Sequence, residues 1–125
     1  QEFKKVNCEI YAISTDTHFA HKTWHDISEN ISKIEYPMIG DPTHSLTYDF
    51  DVFDENDGLA QRGSFIIDPE GKIVVYEVNV GRNADELLRR LHACQFVYEH
   101  GDNVCPAKWK LGEKTIQTTI ENIGK

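Results

Sequence analysis

A chain of 125 residues with 39% apolar and 27% charged residues is long enough for one domain with its own core and has the composition of a soluble globular protein. No apolar run approaches the roughly 20 residues a membrane span needs, and a net charge of −8 argues against a nucleic-acid surface, which clusters Lys and Arg. The three cysteines, Cys8, Cys94 and Cys105, are widely spaced and form no CxxC; this speaks against a closed zinc site or a secreted disulfide framework and for a cytoplasmic protein with redox-active thiols.

The first residues have no apolar h-region or cleavage site of a signal peptide. Phe3 and Val6 read as the end of an amphipathic helix, so the chain reads as a piece of something longer. Cys8 to Ser14 is a short β-rich apolar run, predicted as a buried strand. Ser14-Thr15-Asp16-Thr17 supplies N-cap residues, and Ala20, Trp24, Ile27 and Ile31 then recur at helical spacing, predicting a helix over 18–31. Tyr36 to Pro42 is a second short strand between breakers. Thr43 to Phe50 suits a short helix, and Asp54 to Gly58 a polar turn. Ser64–Asp68 and Ile73–Val78 are predicted strands joined through Pro69-Glu70-Gly71 as a hairpin. Asn83 and Glu86 have the spacing of a capping box, and Leu87, Leu88, Leu91, Cys94 and Tyr98 mark a helix to about His100. The last twenty residues read as an exposed tail. The order β, α, β, short α, hairpin, α predicts an α/β sheet of mixed direction.

Two clusters invite a metal reading. His18, His21 and His25 stand at i, i+3, i+7 on one predicted helix, but with no HExxH a solvated face is expected. Asp49, Asp51, Asp54, Glu55 and Asp57 lack the closing glutamate of an EF-hand loop and read as a solvated loop. On their own terms Cys8 and Cys94 look like core cysteines, and Arg62 and Arg82 like surface arginines.

The run Val104-Cys105-Pro106-Ala107-Lys108-Trp109 changes that reading. Following an amphipathic helix, it resembles the resolving-cysteine segment of typical two-cysteine peroxiredoxins. Ser14 through Trp24, Pro37-Met38-Ile39-Gly40-Asp41-Pro42, Gly58 through Pro69 and Val80-Gly81-Arg82-Asn83 resemble, in order, blocks of the peroxidase subunit of bacterial alkyl hydroperoxide reductases. The likeness covers nearly the whole chain and corresponds to the C-terminal portion of that family. The family's peroxidatic motif, Pro-x-x-x-Thr-x-x-Cys, does not occur in these residues.

The resemblance implies an α/β, thioredoxin-like (peroxiredoxin) mixed sheet with flanking helices whose N-terminal part is missing. Residues 1–104 would form the truncated core and 105–125 a resolving-cysteine tail. It implies a thiol peroxidase that reduces hydrogen peroxide and organic hydroperoxides without a metal or organic cofactor. Cys105 would resolve the sulfenic acid formed on the partner subunit. Arg62, and with it Arg82, would lie by the peroxidatic thiolate, which a guanidinium stabilises. The implied partners are a second copy joined along the Ile73–Val78 edge, a ring of such dimers, and a flavoprotein disulfide reductase or thioredoxin-like reductant. The chain as written is predicted inactive. The alternatives are a non-catalytic remnant that keeps only the dimerisation surface, and a generic thioredoxin-like domain using Cys105 alone, against which the lack of CxxC weighs.

Overall fold

The computed structural model describes residues 1–124. They divide into two compact units, Gln1–Gly63 and Ser64 onward, where the composition alone suggested one domain.

The first unit opens on a short helix, α1 (Glu2–Lys5), which bears out the amphipathic reading of Phe3 and Val6. Its centre is a βαβ motif. Strand β1 (Ala12–Ser14) pairs in parallel with β2 (Met38–Gly40), in the register Ala12↔Met38, Ile13↔Ile39, Ser14↔Gly40. Helix α2 (His18–Ile27) makes the crossover, with the Thr17 hydroxyl accepting from the Ala20 amide at 3.3 Å. The predicted helix ran on to residue 31. The chain instead turns extended at Ser28, whose hydroxyl accepts from the Ile31 amide and so starts a separate 3-10 turn, Ile31–Lys33. A serine offering such a local bond competes with the helix ladder.

Strand β2 passes hard against the loop between β1 and α2. A Cβ on Gly40 would stand 2.8 Å from the Asp16 carbonyl oxygen and 3.0 Å from the His18 nitrogen, both backbone atoms. Only glycine lets the two segments approach this closely. Helix α3 (Ser45–Asp49) follows. The buried Asp41 holds its start, accepting from the Leu46 and Thr47 amides at 3.1 and 2.8 Å and from the Thr47 hydroxyl at 2.7 Å. Burial alone would raise the carboxyl's pKa, but these hydrogen bonds outweigh it and hold it below the ordinary value. The polar turn at Asp54–Gly58 is present, and it closes a small antiparallel pair, β3 (Phe53–Asp54) with β4 (Leu59–Ala60), which no alternation of residues signalled.

In the second unit β5 (Gly63–Ile67, beginning at the boundary) and β6 (Ile73–Val78) pair through the predicted turn, with Gly71 at φ +84°. Helix α4 (Ala84–Glu99) is capped by Asn83, whose side chain accepts from the Glu86 amide at 2.9 Å. The Glu86 carboxylate turns instead to Arg89 and Arg90, which bring its pKa down to about 2. After α4, β7 (Asn103–Val104) pairs antiparallel with β8 (Ile116–Gln117), and a 3-10 turn, Ile120–Asn122, follows.

Among the described residues the buried apolar side chains are Val52 in the first unit and Leu91 and Trp109 in the second. Trp24 and Ile27 of the apolar spacing on α2 are exposed. Among the described residues no helix is long and apolar enough to cross a membrane.

Candidate functional site

The tail predicted to be exposed has a fixed anchor. Trp109 is 2% exposed, the most deeply buried large side chain among the described residues. Its indole N–H donates to the Glu113 carbonyl at 2.9 Å, its ring packs on Phe96 of α4 with centroids 5.2 Å apart, and its carbonyl accepts from Arg89 Nη1 at 3.0 Å. A turn closed by Trp109 and the β7–β8 pair therefore hold the chain on either side of Cys105. The Cys105 thiol is half-buried, with Sγ 3.8 Å from the carbonyl oxygen of Ala93 on α4.

Burial pushes the Cys105 thiol above its ordinary pKa, and the Arg89 guanidinium draws it partly back. Burial also raises Cys94, with the neighbouring Cys105 adding to the effect and Arg90 opposing it. Cys8 is raised by burial and then by Glu9. Thiolate is the reactive form, so none of the three has the activated environment of a peroxide nucleophile. Cys8 and Cys94, predicted to lie in the core, are only half-buried.

Arg62 lies in the first unit, exposed, immediately before β5. Arg82 lies in the second unit, where its Nε donates to the Ser64 hydroxyl at 3.2 Å. It precedes the N-cap of α4, whereas Cys105 faces Ala93, about 14 Å further along the axis at 1.5 Å per residue. The structure thus does not bring Arg82 to Cys105. The basic group beside Cys105 is Arg89, which sequence reasoning passed over. The signal for it was the Glu86, Arg89, Arg90 spacing, which marks these side chains as one cluster on a helix face.

The histidine face also differs from expectation. His18 is exposed and His25 half-buried, but His21 is 6% exposed. The Ser14 hydroxyl donates to Asp16 at 2.9 Å and so can only accept from His21 Nε2–H. His21 Nδ1 is left buried without a partner. Among the described residues no group of His, Cys, Asp or Glu is arranged to hold a metal ion.

These features, a parallel βαβ motif, a hairpin, a long capped helix and a cysteine folded back on that helix, are those of a thioredoxin-like peroxiredoxin. Residues 1–76 match the AhpC/TSA family and residues 93–123 match the C-terminal domain of 1-Cys peroxiredoxin. The chain belongs to the AhpC/TSA family. Along its whole length it is 50% identical to alkyl hydroperoxide reductase C of Escherichia coli, spanning 68% of that protein, and over 99% of its length it is 48% identical to the same enzyme of Staphylococcus epidermidis, spanning 67%. Among solved structures, Enterococcus faecalis AhpC is similar over 83% of this chain and 64% of its own, with 53% identity and a TM-score of 0.79. The reduced 2-Cys peroxiredoxin of Plasmodium vivax aligns over 96% of this chain and 64% of its own, with 29% identity and a TM-score of 0.89.

Proposed function

We propose that the protein is a thiol peroxidase that reduces hydroperoxides, with Cys105 as its resolving cysteine. The observation that carries this is Cys105 itself, in its Val104–Trp109 run, within a chain half-identical throughout to alkyl hydroperoxide reductase C. The peroxidatic thiolate lies outside these residues. It attacks one oxygen of the hydroperoxide; the S–O bond forms, the O–O bond breaks, and the alcohol or water leaves with a proton. Cys105 of the partner subunit then attacks the sulfenic sulfur, forming an intersubunit disulfide and releasing water. A flavoprotein disulfide reductase or a thioredoxin-like protein returns two electrons through its own thiols.

Arg62 stabilises the thiolate and the charge growing on the peroxide oxygens, a task for which a permanently protonated fork of donors is suited. Self-association uses β6, which among the described residues pairs with β5 alone and exposes Ile73, Val74 and Tyr76; an apolar strand with an open edge is a template for a second copy, and rings of dimers follow from a further contact. Thiols kept free fit the cytoplasm.

The test is a non-reducing gel of the full-length protein after one equivalent of peroxide. A covalent dimer should appear in the wild type and be absent in Cys105→Ser, while the first oxidation stays fast. A dimer that persists in Cys105→Ser moves the resolving role elsewhere. The absence of a Pro-x-x-x-Thr-x-x-Cys motif from these 125 residues favours a second reading for them taken alone, that of an inactive dimerisation module. Turnover by that piece in an NADH-coupled assay would exclude it.

A further inference from the structure

The turn after α4 brings two cysteines to one stretch of helix. Cys105 Sγ lies 3.8 Å from the carbonyl oxygen of Ala93, and the carbon of that carbonyl is bonded to the nitrogen of Cys94. Each thiol has its own arginine on α4: Arg89 acts on Cys105 and Arg90 on Cys94. Charge on Cys105 raises the pKa of Cys94. The Trp109 anchor fixes this arrangement, because the docked indole returns Cys105 to the same place on α4 whenever the segment closes.

We propose that Cys94 is a third redox thiol, which takes the disulfide from Cys105 by thiol–disulfide exchange and leaves a Cys94–Cys105 bond within one chain. The proposal rests on the peroxidase reading for its disulfide donor. In the step, the Cys94 thiolate attacks Cys105 Sγ of the intersubunit disulfide. The Cys94–Cys105 bond forms and the bond to the partner subunit's sulfur breaks. The peroxidatic cysteine leaves as a thiolate, and the Cys94 proton goes to solvent. No oxidant is consumed. The direction follows from the leaving group: a disulfide releases its lower-pKa thiol faster, and a peroxidatic thiol held as thiolate is the lower of the two. The oxidised enzyme then presents its reductant with a disulfide inside a single subunit, and the two subunits come apart covalently.

Trypsin cleaves after Arg90 and Lys108, so both cysteines fall in the single peptide Leu91–Lys108. Full-length protein is treated with one equivalent of hydrogen peroxide without reductant, and free thiols are then alkylated. In the wild type the covalent dimer should form and decay to monomer, and Leu91–Lys108 should appear unalkylated and lighter by two hydrogens. Cleavage at Glu99 should leave its two halves linked. In Cys94→Ser the covalent dimer should form as fast and persist. Equal persistence of the dimer in both proteins, with Cys94 alkylated in the wild type, would overturn the exchange while leaving the peroxidase reading intact.

A second arm dispenses with the peroxidatic cysteine. Glutathione disulfide places a mixed disulfide on Cys105, which Cys94 should displace, giving the same lightened peptide and free glutathione. Cys94→Ser should instead keep the glutathione adduct. A stable adduct on wild-type Cys105 beside a free Cys94 would overturn the proposal whatever peroxide does. A lightened peptide in this arm, with no dimer in the peroxide arm, would support the exchange and count against the peroxidase reading.

Discussion

Trp109→Ala tests whether the segment carrying Cys105 is held to α4 by one side chain. The indole is almost wholly buried against Phe96, and its N–H is bonded to the Glu113 carbonyl. A buried aromatic side chain removes about 150–250 Å² from water, worth about 4–6 kcal/mol at 25 cal/mol per Å²; measured truncations of Phe or Trp to Ala in cores cost about 3–5 kcal/mol. If that loss falls on a local opening of the segment rather than on the whole fold, even 3 kcal/mol raises the open population on the order of 100-fold, at 1.4 kcal/mol per decade. Cys105 should then react with a thiol reagent about 100 times faster in full-length Trp109→Ala than in the wild type, as read by quenched alkylation and peptide mass spectrometry. Cys8, in the other unit, should keep its rate. Trp109→Phe keeps a ring on Phe96 but loses the N–H bond, and should accelerate Cys105 by about fivefold, for roughly 1 kcal/mol of hydrogen bond. An unchanged Cys105 rate in Trp109→Ala would refute the anchor. Equal acceleration of Cys8 would show that the residue supports the entire fold and not the segment.

Two further outcomes are expected. In the full-length protein Arg62→Ala should slow oxidation of the peroxidatic thiol by about two to three orders of magnitude, for the roughly 2–4 kcal/mol carried by a charge-assisted donor in a transition state; Arg62→Lys should recover only part, and stopped-flow oxidation of the alanine variant at the wild-type rate would remove Arg62 from the site. Asp41→Asn should destabilise the protein at pH 7 by roughly 1.5–3 kcal/mol, the range for hydrogen bonds to a charged group. Because the folded-state pKa of Asp41 is depressed, its contribution is present above the unfolded value of about 3.9 and is lost as pH falls through the lower folded value. The gap between wild type and Asp41→Asn in urea midpoints should therefore narrow from pH 7 to pH 3, and a gap of constant size would refute the role given to the carboxylate.

Much of this protein could be read from local patterns. The βαβ order, the β5–β6 hairpin and the capped α4 follow from hydrophobic period, breakers and N-cap residues, because each depends on neighbours within a few positions in the chain. The family was legible in the run around Cys105 and in the order of the other blocks. Local patterns misplaced what depends on which surface meets which. The histidine face expected in solvent includes His21, which is buried where β1 offers it the Ser14 hydroxyl. The last twenty residues look like a solvated tail because Lys, Gly and Thr dominate them. One indole among them finds Phe96 and Arg89 on a helix well upstream, and that single burial decides where the segment sits. The pairing of Cys105 with the Ala93–Cys94 stretch has the same origin. Spacing along the chain does not encode it; it arises because the Trp109 anchor and the β7–β8 pair return the chain to α4, and only the folded arrangement of those contacts sets the Cys105 sulfur against the Ala93 carbonyl.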